Sequence, residues 1–214
     1  TSAKTAPAGR AEPLLQVQGL VKRYRRGWPQ ARTTFELQAD FTVDGPGVIG
    51  VMGANGAGKT TLFELITGGN RPSAGRVCVA GQDIHRVRYD ERDRLALHYH
   101  QSYQLRRFHR TVPAFLLEKA GRSAAVVHLF DEPQFNAQDG YIGFMLDFFR
   151  RLARSGKLVF LCLHPNEPVH LDILEDVCER FVFVQKGVEA ARRGQPALVA
   201  EVAEVAEVAE VAKG

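Results

Sequence analysis

The chain has 214 residues, 45% hydrophobic and 24% charged, which allow one domain with a sizeable core and exclude a wholly disordered protein. Its longest uninterrupted apolar stretch, Leu158–Leu163, has six residues, far fewer than the ~20 that a membrane-spanning helix needs. Three widely spaced cysteines favour a reduced, cytoplasmic protein over a disulfide framework. The net charge is +4, but Glu201–Gly214 contains four Glu and one Lys, so residues 1–200 carry +7. This charge does not identify a partner, and we do not expect nucleic acid to be one.

We expect three regions along the chain. Residues 1–12 are rich in Ala, Ser and Pro and are predicted to form a mobile leader, and residues 13–196 form the folded domain. Residues 197–214 form a low-complexity tail in which Glu-Val-Ala occurs four times. A period of three advances about 300° per repeat around a helix, so no apolar stripe persists along it. The tail is therefore predicted to be partly helical and to add little to the core.

Hydrophobic periodicity predicts strands that alternate with helices. The alternation in Phe35–Val43 is typical of a half-buried strand, and the apolar run Val48–Met52 is typical of a strand buried on both faces. Thr60–Thr67 has the pattern of a helix. Further strands are predicted at 76–80, 124–130 and 158–163, with an amphipathic helix at 142–152. This order predicts an α/β protein with a mainly parallel sheet.

Residues 53–60, Gly-Ala-Asn-Gly-Ala-Gly-Lys-Thr, match the phosphate-loop pattern G-x-x-x-x-G-K-[ST] between a predicted strand and a predicted helix. The glycines let backbone N–H groups surround phosphate oxygens, and the helix N-terminus adds favourable partial charge. We expect Lys59 to reach the β- and γ-phosphates of a nucleotide and Thr60 to ligate Mg²⁺. The residues predicted to bind nucleotide here are Gly53, Asn55, Gly56, Ala57, Gly58, Lys59, Thr60 and Thr61.

Asp131 and Glu132 follow the apolar run 126–130 and so come at the C-terminal end of a predicted strand, beside the phosphate loop. Asp131 is predicted to hold Mg²⁺ through water. Glu132 is predicted to orient and deprotonate the attacking water. On its own such a pair is often a solvated turn, and its combination with a phosphate loop favours the catalytic interpretation.

Over residues 14–187 the chain resembles the nucleotide-binding subunit of ATP-binding cassette (ABC) proteins. Besides the phosphate loop, Leu65–Gly68 and Arg71–Ile84 resemble the segment after the family's first helix, and Cys178–Gly187 resembles its closing strand and turn. The resemblance implies a phosphate-loop NTPase fold of ABC type, with an antiparallel β portion beside the mainly parallel core. It also implies ATP and Mg²⁺ as cofactors and a cytoplasmic location, peripheral on the cytoplasmic face of the inner membrane.

Three further site residues are implied by the resemblance. Tyr24 stands where the family stacks an aromatic ring on adenine. Gln101 stands where a glutamine contacts Mg²⁺ and water, and His164 where a histidine senses the γ-phosphate. Ordinary structural roles stay open for all three. His98 and His100 alternate on one face of a predicted strand, but no acidic or Cys partner is spaced to complete a metal site with them.

The chain departs from the family between Gln101 and Asp131, which are separated by only 29 residues with no Ser-Gly-Gly among them. The family inserts there a helical subdomain whose Leu-Ser-Gly-Gly-Gln signature completes the partner's ATP site. We therefore predict a truncated subdomain, with a surviving helix at Pro113–Ala120 and with Arg107 and Arg110 where the signature would stand.

The resemblance implies an ATPase completed by a partner, which is another ABC subunit that supplies the signature or a second copy in a homodimer. We expect it to energise a membrane transporter through integral membrane subunits. The alternatives are a soluble ABC ATPase that drives a remodelling or regulatory partner, and an assembly module with weak hydrolysis. The missing subdomain weakens the first interpretation, because transporters hold their membrane subunits there. Glu132 and His164 weaken the last, since a module without hydrolysis need not retain both.

Overall fold

The computed structural model describes residues 12–100, 120–133, 141–163, 168–186 and 197–204, and the strands among them form a ten-stranded sheet. The strands are β1 (Leu15–Arg26), β2 (Arg32–Val43), β3 (Gly47–Met52), β4 (Ala74–Val79), β5 (Gln82–Asp83), β6 (Ala96–His100), β7 (Val127–Asp131), β8 (Leu158–Cys162), β9 (Arg180–Lys186) and β10 (Ala197–Glu204). The helices that lie wholly within these residues are α1 (Lys59–Ile66), α2 (Tyr89–Leu95), α3 (Tyr141–Arg154) and α4 (Pro168–Val177).

Across the sheet the strands follow the order β5-β4-β1-β2-β10-β9-β3-β8-β7-β6. Strands β6, β7, β8, β3 and β9 pair in parallel. Strands β5, β4, β1 and β2 pair antiparallel. The predicted α/β fold, with a parallel core and an antiparallel portion, is confirmed.

Helices cover both faces of the parallel strands, which explains why the two central ones, β3 and β8, are buried and without polar side chains along their whole length. On one face Phe63 of α1 packs in a cluster that includes Ile49 of β3. On the other face Phe149 of α3 packs in a second cluster, which includes Val48 of the same strand. Since successive residues of β3 enter different cores, polar site residues are expected at the ends of the strands, where the helices leave the sheet edge open.

The C-terminal segment enters the sheet, so the prediction of a partly helical tail is wrong over residues 200–204. Strand β10 lies between β2 and β9, parallel to the first and antiparallel to the second. Ala200, for example, is paired with Ala39 on one side and Val184 on the other. A strand in this position satisfies two rows of backbone N–H and C=O groups, a gain that local helix propensity does not match. The boundary at residue 197 remains a prediction.

Several expectations fall outside the described residues. These are the leader, apart from Glu12, the interval 101–119 with its truncated subdomain, and the rest of the tail at 205–214. Within the part of the chain that the structure describes, none of the helices combines the length and the apolarity that crossing a bilayer requires.

Candidate nucleotide-binding site

The phosphate-loop pattern forms the connection between β3, which ends at Met52, and α1, which begins at Lys59. Gly56 and Gly58 have φ angles of 76° and 99°, in the left-handed region that glycine adopts without steric cost. A Cβ at Gly58 would also lie 2.8 Å from the ring of Phe35, so contact as well as conformation restricts this position to glycine. The backbone turn that the pattern requires is therefore present.

Lys59 is only 5% exposed, and its ammonium group folds back over the loop. Its Nζ donates hydrogen bonds to the carbonyl oxygens of Gly53 at 2.6 Å and Ala54 at 3.0 Å. Both acceptors are neutral, so these bonds hold the ammonium in place without cancelling its charge. The loop therefore presents a positioned cation to an anion.

Thr60 and Asp131 meet at the base of the loop. Thr60 Oγ1 donates a hydrogen bond of 2.9 Å to Oδ2 of Asp131, which joins the first turn of α1 to the end of β7. Asp131 is 1% exposed, and its other oxygen, Oδ1, is buried without a hydrogen-bond partner. An unpaired buried carboxylate oxygen is costly, and it is also the kind of ligand that Mg²⁺ prefers.

Two histidines of β6 contact the same carboxylate. Nε2 of His98 lies 3.3 Å from Oδ2 of Asp131, and Nε2 of His100 lies 3.6 Å from it. Asp131 is distant from these histidines in sequence and reaches them only through the pairing of β6 with β7, so this contact was not predicted. Burial by itself raises the pKa of Asp131. The hydrogen bonds from His98 and Thr60, together with the nearby imidazoles, lower this pKa by more, so the pKa lies below its usual value. Asp131 is therefore a carboxylate at neutral pH.

Glu132 has a backbone conformation that residues other than glycine rarely adopt. Its φ is 51°, and its N–H donates to the carbonyl oxygen of Cys162 at 3.0 Å. Such a conformation costs about 1–3 kcal/mol and persists only where the surrounding structure imposes it. The turn places Glu132 in the wall of the pocket that contains Lys59 and Thr60. A strained acidic residue beside a phosphate loop is suited to act on a water molecule there.

The pocket above the phosphate loop has a volume of about 300 Å³. Its wall is formed by Phe35, Asn55, Gly56, Gly58, Lys59, Thr60, Thr61 and Glu132. All but Phe35 were predicted from the sequence. The signal for Phe35 lies in the pairing of β1 with β2, which sets Phe35 directly opposite Tyr24.

Tyr24 lies beside Phe35, with ring centroids 5.6 Å apart, and is 40% exposed. Its hydroxyl accepts a hydrogen bond of 2.7 Å from Nδ2 of Asn70, and the ammonium of Lys22 lies 5.0 Å from its ring. Phe35, rather than Tyr24, forms part of the pocket wall. Adenine stacking on Tyr24 remains a prediction.

Gln101 and His164 lie outside the described residues, as do Arg107 and Arg110. Strand β6 ends at His100, one residue before Gln101. Strand β8 ends at Cys162, two residues before His164. The roles of Gln101 and His164 therefore remain predictions from the resemblance.

The described residues fit a nucleotide with Mg²⁺. A Cβ at Gly56 would meet no atom within 4 Å, so the loop has open space at this position. Among the described residues, no group of three or more His, Cys, Asp or Glu could hold a metal ion. Thr60 and Asp131 would supply two oxygen ligands to Mg²⁺, an ion that commonly also binds substrate phosphates and retains several waters.

The ABC transporter family model matches residues 37–139 of this chain. The macrolide export ATP-binding/permease protein MacB 2 of Aeromonas hydrophila is 33% identical over 99 residues, which are 46% of this chain and 15% of that protein. The lipoprotein-releasing system ATP-binding protein LolD of Chromohalobacter salexigens is 41% identical over 73 residues, 34% of this chain and 30% of LolD. The matched segments thus span less than a third of these curated relatives.

Solved structures with the same fold cover almost the whole chain. The ATP-binding cassette MJ0796, in a dimeric state bound to ADP and phosphate, superposes with a TM-score of 0.62 at 12% identity, covering 90% of this chain and 99% of that one. CbiO1 from Clostridium perfringens, part of an ABC transporter complex, superposes with a TM-score of 0.60 at 14% identity, covering 92% of this chain and 90% of that one. At these identities the likeness shows the fold alone. The chain therefore has the fold of ABC ATP-binding cassettes, and its residues 37–139 are similar in sequence to the ABC transporter family.

Proposed function

We propose that this chain binds and hydrolyses ATP as the nucleotide-binding subunit of an ABC-type complex, and that the complex is a membrane transporter energised through partner subunits. The observation that carries the proposal is the convergence of Lys59, Thr60 and Glu132 on one pocket, with Asp131 bonded to Thr60 beneath it. These groups supply a phosphate-binding cation, oxygen ligands for Mg²⁺ and a base.

Each residue has a distinct role in this proposal. The N–H groups of the loop and the ammonium of Lys59 bind the β- and γ-phosphates, and Thr60 and Asp131 hold Mg²⁺. Mg²⁺, when bound, supplies positive charge that offsets the charge of the phosphates. Glu132 accepts the proton of the attacking water. Gln101 and His164 are assigned by resemblance to the contacts with Mg²⁺ and the γ-phosphate.

We further propose that hydrolysis depends on a partner. Only 29 residues separate Gln101 from Asp131, and they contain no Ser-Gly-Gly, so the chain lacks the sequence with which the family caps the γ-phosphate across a dimer. A second ABC subunit that carries the signature would complete the site. A homodimer in which Arg107 or Arg110 supplies a cation to the γ-phosphate is the alternative.

The relatives favour a transporter, since MacB 2 is a macrolide export protein and CbiO1 is part of an ABC transporter complex. On this basis the chain acts in the cytoplasm, peripheral on the cytoplasmic face of the inner membrane, beside integral membrane subunits. The short interval between Gln101 and Asp131 favours a second candidate, a soluble ABC ATPase that drives a remodelling or regulatory partner.

The nucleotide site is tested by ATP binding and phosphate release in the full chain. Lys59→Ala should abolish ATP affinity, because the β- and γ-phosphates lose their direct cation. Lys157→Ala is the matched control, since the Lys157 ammonium donates to the carbonyl of Ala124, and Lys157 does not line the pocket. Unchanged ATP affinity in Lys59→Ala would overturn the assignment of the phosphate loop.

The partner is tested by purifying the tagged chain from its native host and measuring phosphate release alone and with the subunits that accompany it. An integral membrane protein among these subunits supports the transporter. A soluble partner supports the second candidate. Rapid turnover by the isolated chain, lost in Arg107→Ala or Arg110→Ala, would defeat partner dependence and favour the homodimer.

A further inference from the structure

The hairpin of β1 and β2 ends in a tip that takes no part in the nucleotide pocket. Trp28, at the apex, is 96% exposed, more than any other large hydrophobic residue among those described. A single exposed apolar side chain is ordinary on a protein surface. The charged residues around Trp28 are what make this tip unusual.

Arg25, Arg26 and Arg32 flank Trp28 and are all exposed. Arg26 and Arg32 are directly paired across the two strands, and like charges in opposed positions destabilise an antiparallel pair. Residues 13–35 contain five Lys or Arg and no Asp or Glu. Among the described residues, no carboxylate forms an ion pair with any of these three arginines.

A neighbouring charged pair of the same hairpin has the opposite arrangement. Nε of Arg23 lies 2.6 Å from Oε2 of Glu36 on the neighbouring strand. This pair neutralises the charge of Arg23, while the charge of the three arginines at the tip stays uncompensated. The hairpin thus carries three cations and one indole to its far end, at a cost to the stability of the strand pair.

We propose that this tip, residues 25–32, is a membrane-contact site that binds anionic phospholipid headgroups. Arginine forms charge-assisted, bidentate hydrogen bonds with phosphate, and tryptophan favours the boundary between headgroups and acyl chains. A basic segment next to an anionic bilayer gains affinity from each Lys or Arg that it carries.

The shape of the tip favours lipid over single-stranded nucleic acid. Proteins that bind single strands without sequence preference use a groove that follows several phosphates and several aromatic rings on which bases stack. The tip offers one indole at a convex turn. Lipid headgroups can rearrange around such a turn, because they are not joined in a fixed chain.

The single tryptophan of the chain makes the test direct, because its fluorescence reports only on residue 28. The full chain is titrated, without nucleotide, with phosphatidylcholine vesicles and with vesicles in which a quarter of the lipid is phosphatidylglycerol. We expect the emission to shift to shorter wavelength with the anionic vesicles only, and 0.5 M NaCl to reverse the shift. No shift with either vesicle would overturn the proposal.

The charges are tested by the triple variant Arg25→Gln/Arg26→Gln/Arg32→Gln, which retains Trp28 as the reporter. We expect its affinity for the anionic vesicles to fall on the order of 100-fold. The matched control, Arg86→Gln/Arg94→Gln/Arg154→Gln, removes the same charge from exposed positions elsewhere. An equal loss in both variants would indicate a diffuse effect of net charge and would overturn the site.

Two further measurements distinguish lipid from single-stranded nucleic acid as the ligand, and test whether the indole of Trp28 contributes to binding. A twenty-residue oligothymidine that quenches Trp28 at a salt concentration where vesicles do not bind would assign the tip to nucleic acid and overturn the proposal. Trp28→Ser, measured by sedimentation with vesicles, should weaken binding several-fold, and Trp28→Tyr should retain most of it. None of these results depends on ATP hydrolysis, so failure here and failure of the proposed function are distinguishable.

Discussion

His98 donates a hydrogen bond of 3.3 Å from Nε2 to Oδ2 of Asp131, the oxygen that also accepts the hydrogen bond of Thr60. The His98 ring is itself held edge-on against Phe63 of α1, with centroids 5.5 Å apart. With two donors on Oδ2, the carboxylate is oriented so that Oδ1 is the oxygen left without a partner. His98 is thus a positioning residue for the group that we expect to hold Mg²⁺.

We predict that His98→Ala raises the Mg²⁺ concentration needed for half-maximal ATP binding by about tenfold, since residues that orient metal ligands typically contribute 10–100-fold to affinity. His98→Asn, whose amide can still donate, should restore much of the loss. Binding of a fluorescent ATP analogue across a Mg²⁺ titration measures this. A purely structural role for His98 would instead lower the melting temperature of both variants and leave the Mg²⁺ dependence unchanged.

Glu132→Gln should separate binding from chemistry. The amide keeps the size of the side chain but cannot accept the proton of water, so ATP binding should persist while phosphate release falls by about 10²–10⁴-fold. Release is measured on the complex that shows turnover, with the exposed Glu175→Gln as the control. Hydrolysis at the rate of the unmodified chain would remove Glu132 from the catalytic residues.

Phe35 and Tyr24 can be distinguished by their effect on nucleotide affinity. Because Phe35 lines the pocket and Tyr24 lies beside it, Phe35→Ala should weaken ATP binding more than Tyr24→Ala does. The loss of an aromatic contact of this kind is worth about 1–3 kcal/mol, or roughly 5–150-fold. Calorimetry with ATP and with inorganic triphosphate provides the control, since triphosphate binding should be the same in both variants. The reverse ranking would show that the family's adenine contact stays on Tyr24.

We expect the free energy of unfolding to decrease as the pH is lowered, because His128 is fully buried. Its Nε2 donates to the carbonyl oxygen of Ala125, and its Nδ1 accepts from the Tyr99 hydroxyl, so the ring is neutral. Burial lowers its pKa from 6.5 to about 4.

The unfolded chain therefore binds more protons than the folded one between those two values. Stability is complete above pH 6.5 and is lost as the pH falls towards 4, by up to about 3 kcal/mol. Urea unfolding at several pH values measures this slope, which His128→Asn should reduce. A slope unaffected by the substitution would assign the proton uptake to other groups, among them His85, whose pKa burial also lowers.

Truncation after residue 196 should destabilise the domain, which reverses the expectation from the sequence that the tail adds little. It removes β10 and leaves β2 and β9 without the strand that joins them. We expect the melting temperature to fall by about 10 °C or more, because several kcal/mol of sheet pairing are lost. Truncation after residue 204 keeps β10 and is the matched control. An equal melting temperature in both would show that β10 contributes nothing.

The parts of the molecule that were predictable are those whose signal is local. The phosphate loop, α1 and the buried strands β3, β7 and β8 follow from short patterns within single elements, and their bounds match to within a few residues. The contacts of Asp131 with His98 and the placement of Phe35 depend on which strands become neighbours. No pattern inside β6 indicates that β7 will lie beside it. The same holds for the tail, where the helix propensity of Ala and Glu predicted a helix. The hydrogen bonds that β10 forms with β2 and β9 outweigh this propensity, and no local pattern in the sequence indicates them.

The pairing of β10 also limits how well its own alignment is specified. Because Glu-Val-Ala repeats every three residues, a strand that moves by three residues along its neighbours places the same residue type at each position of the sheet and on the same face. Such a move would replace 197–204 by 200–207, and the two segments differ only where Leu198 would be replaced by Glu201. Leu198 is paired with Leu37 in β2 and Lys186 in β9. Within the strand itself, one leucine distinguishes the observed alignment from its nearest equivalent.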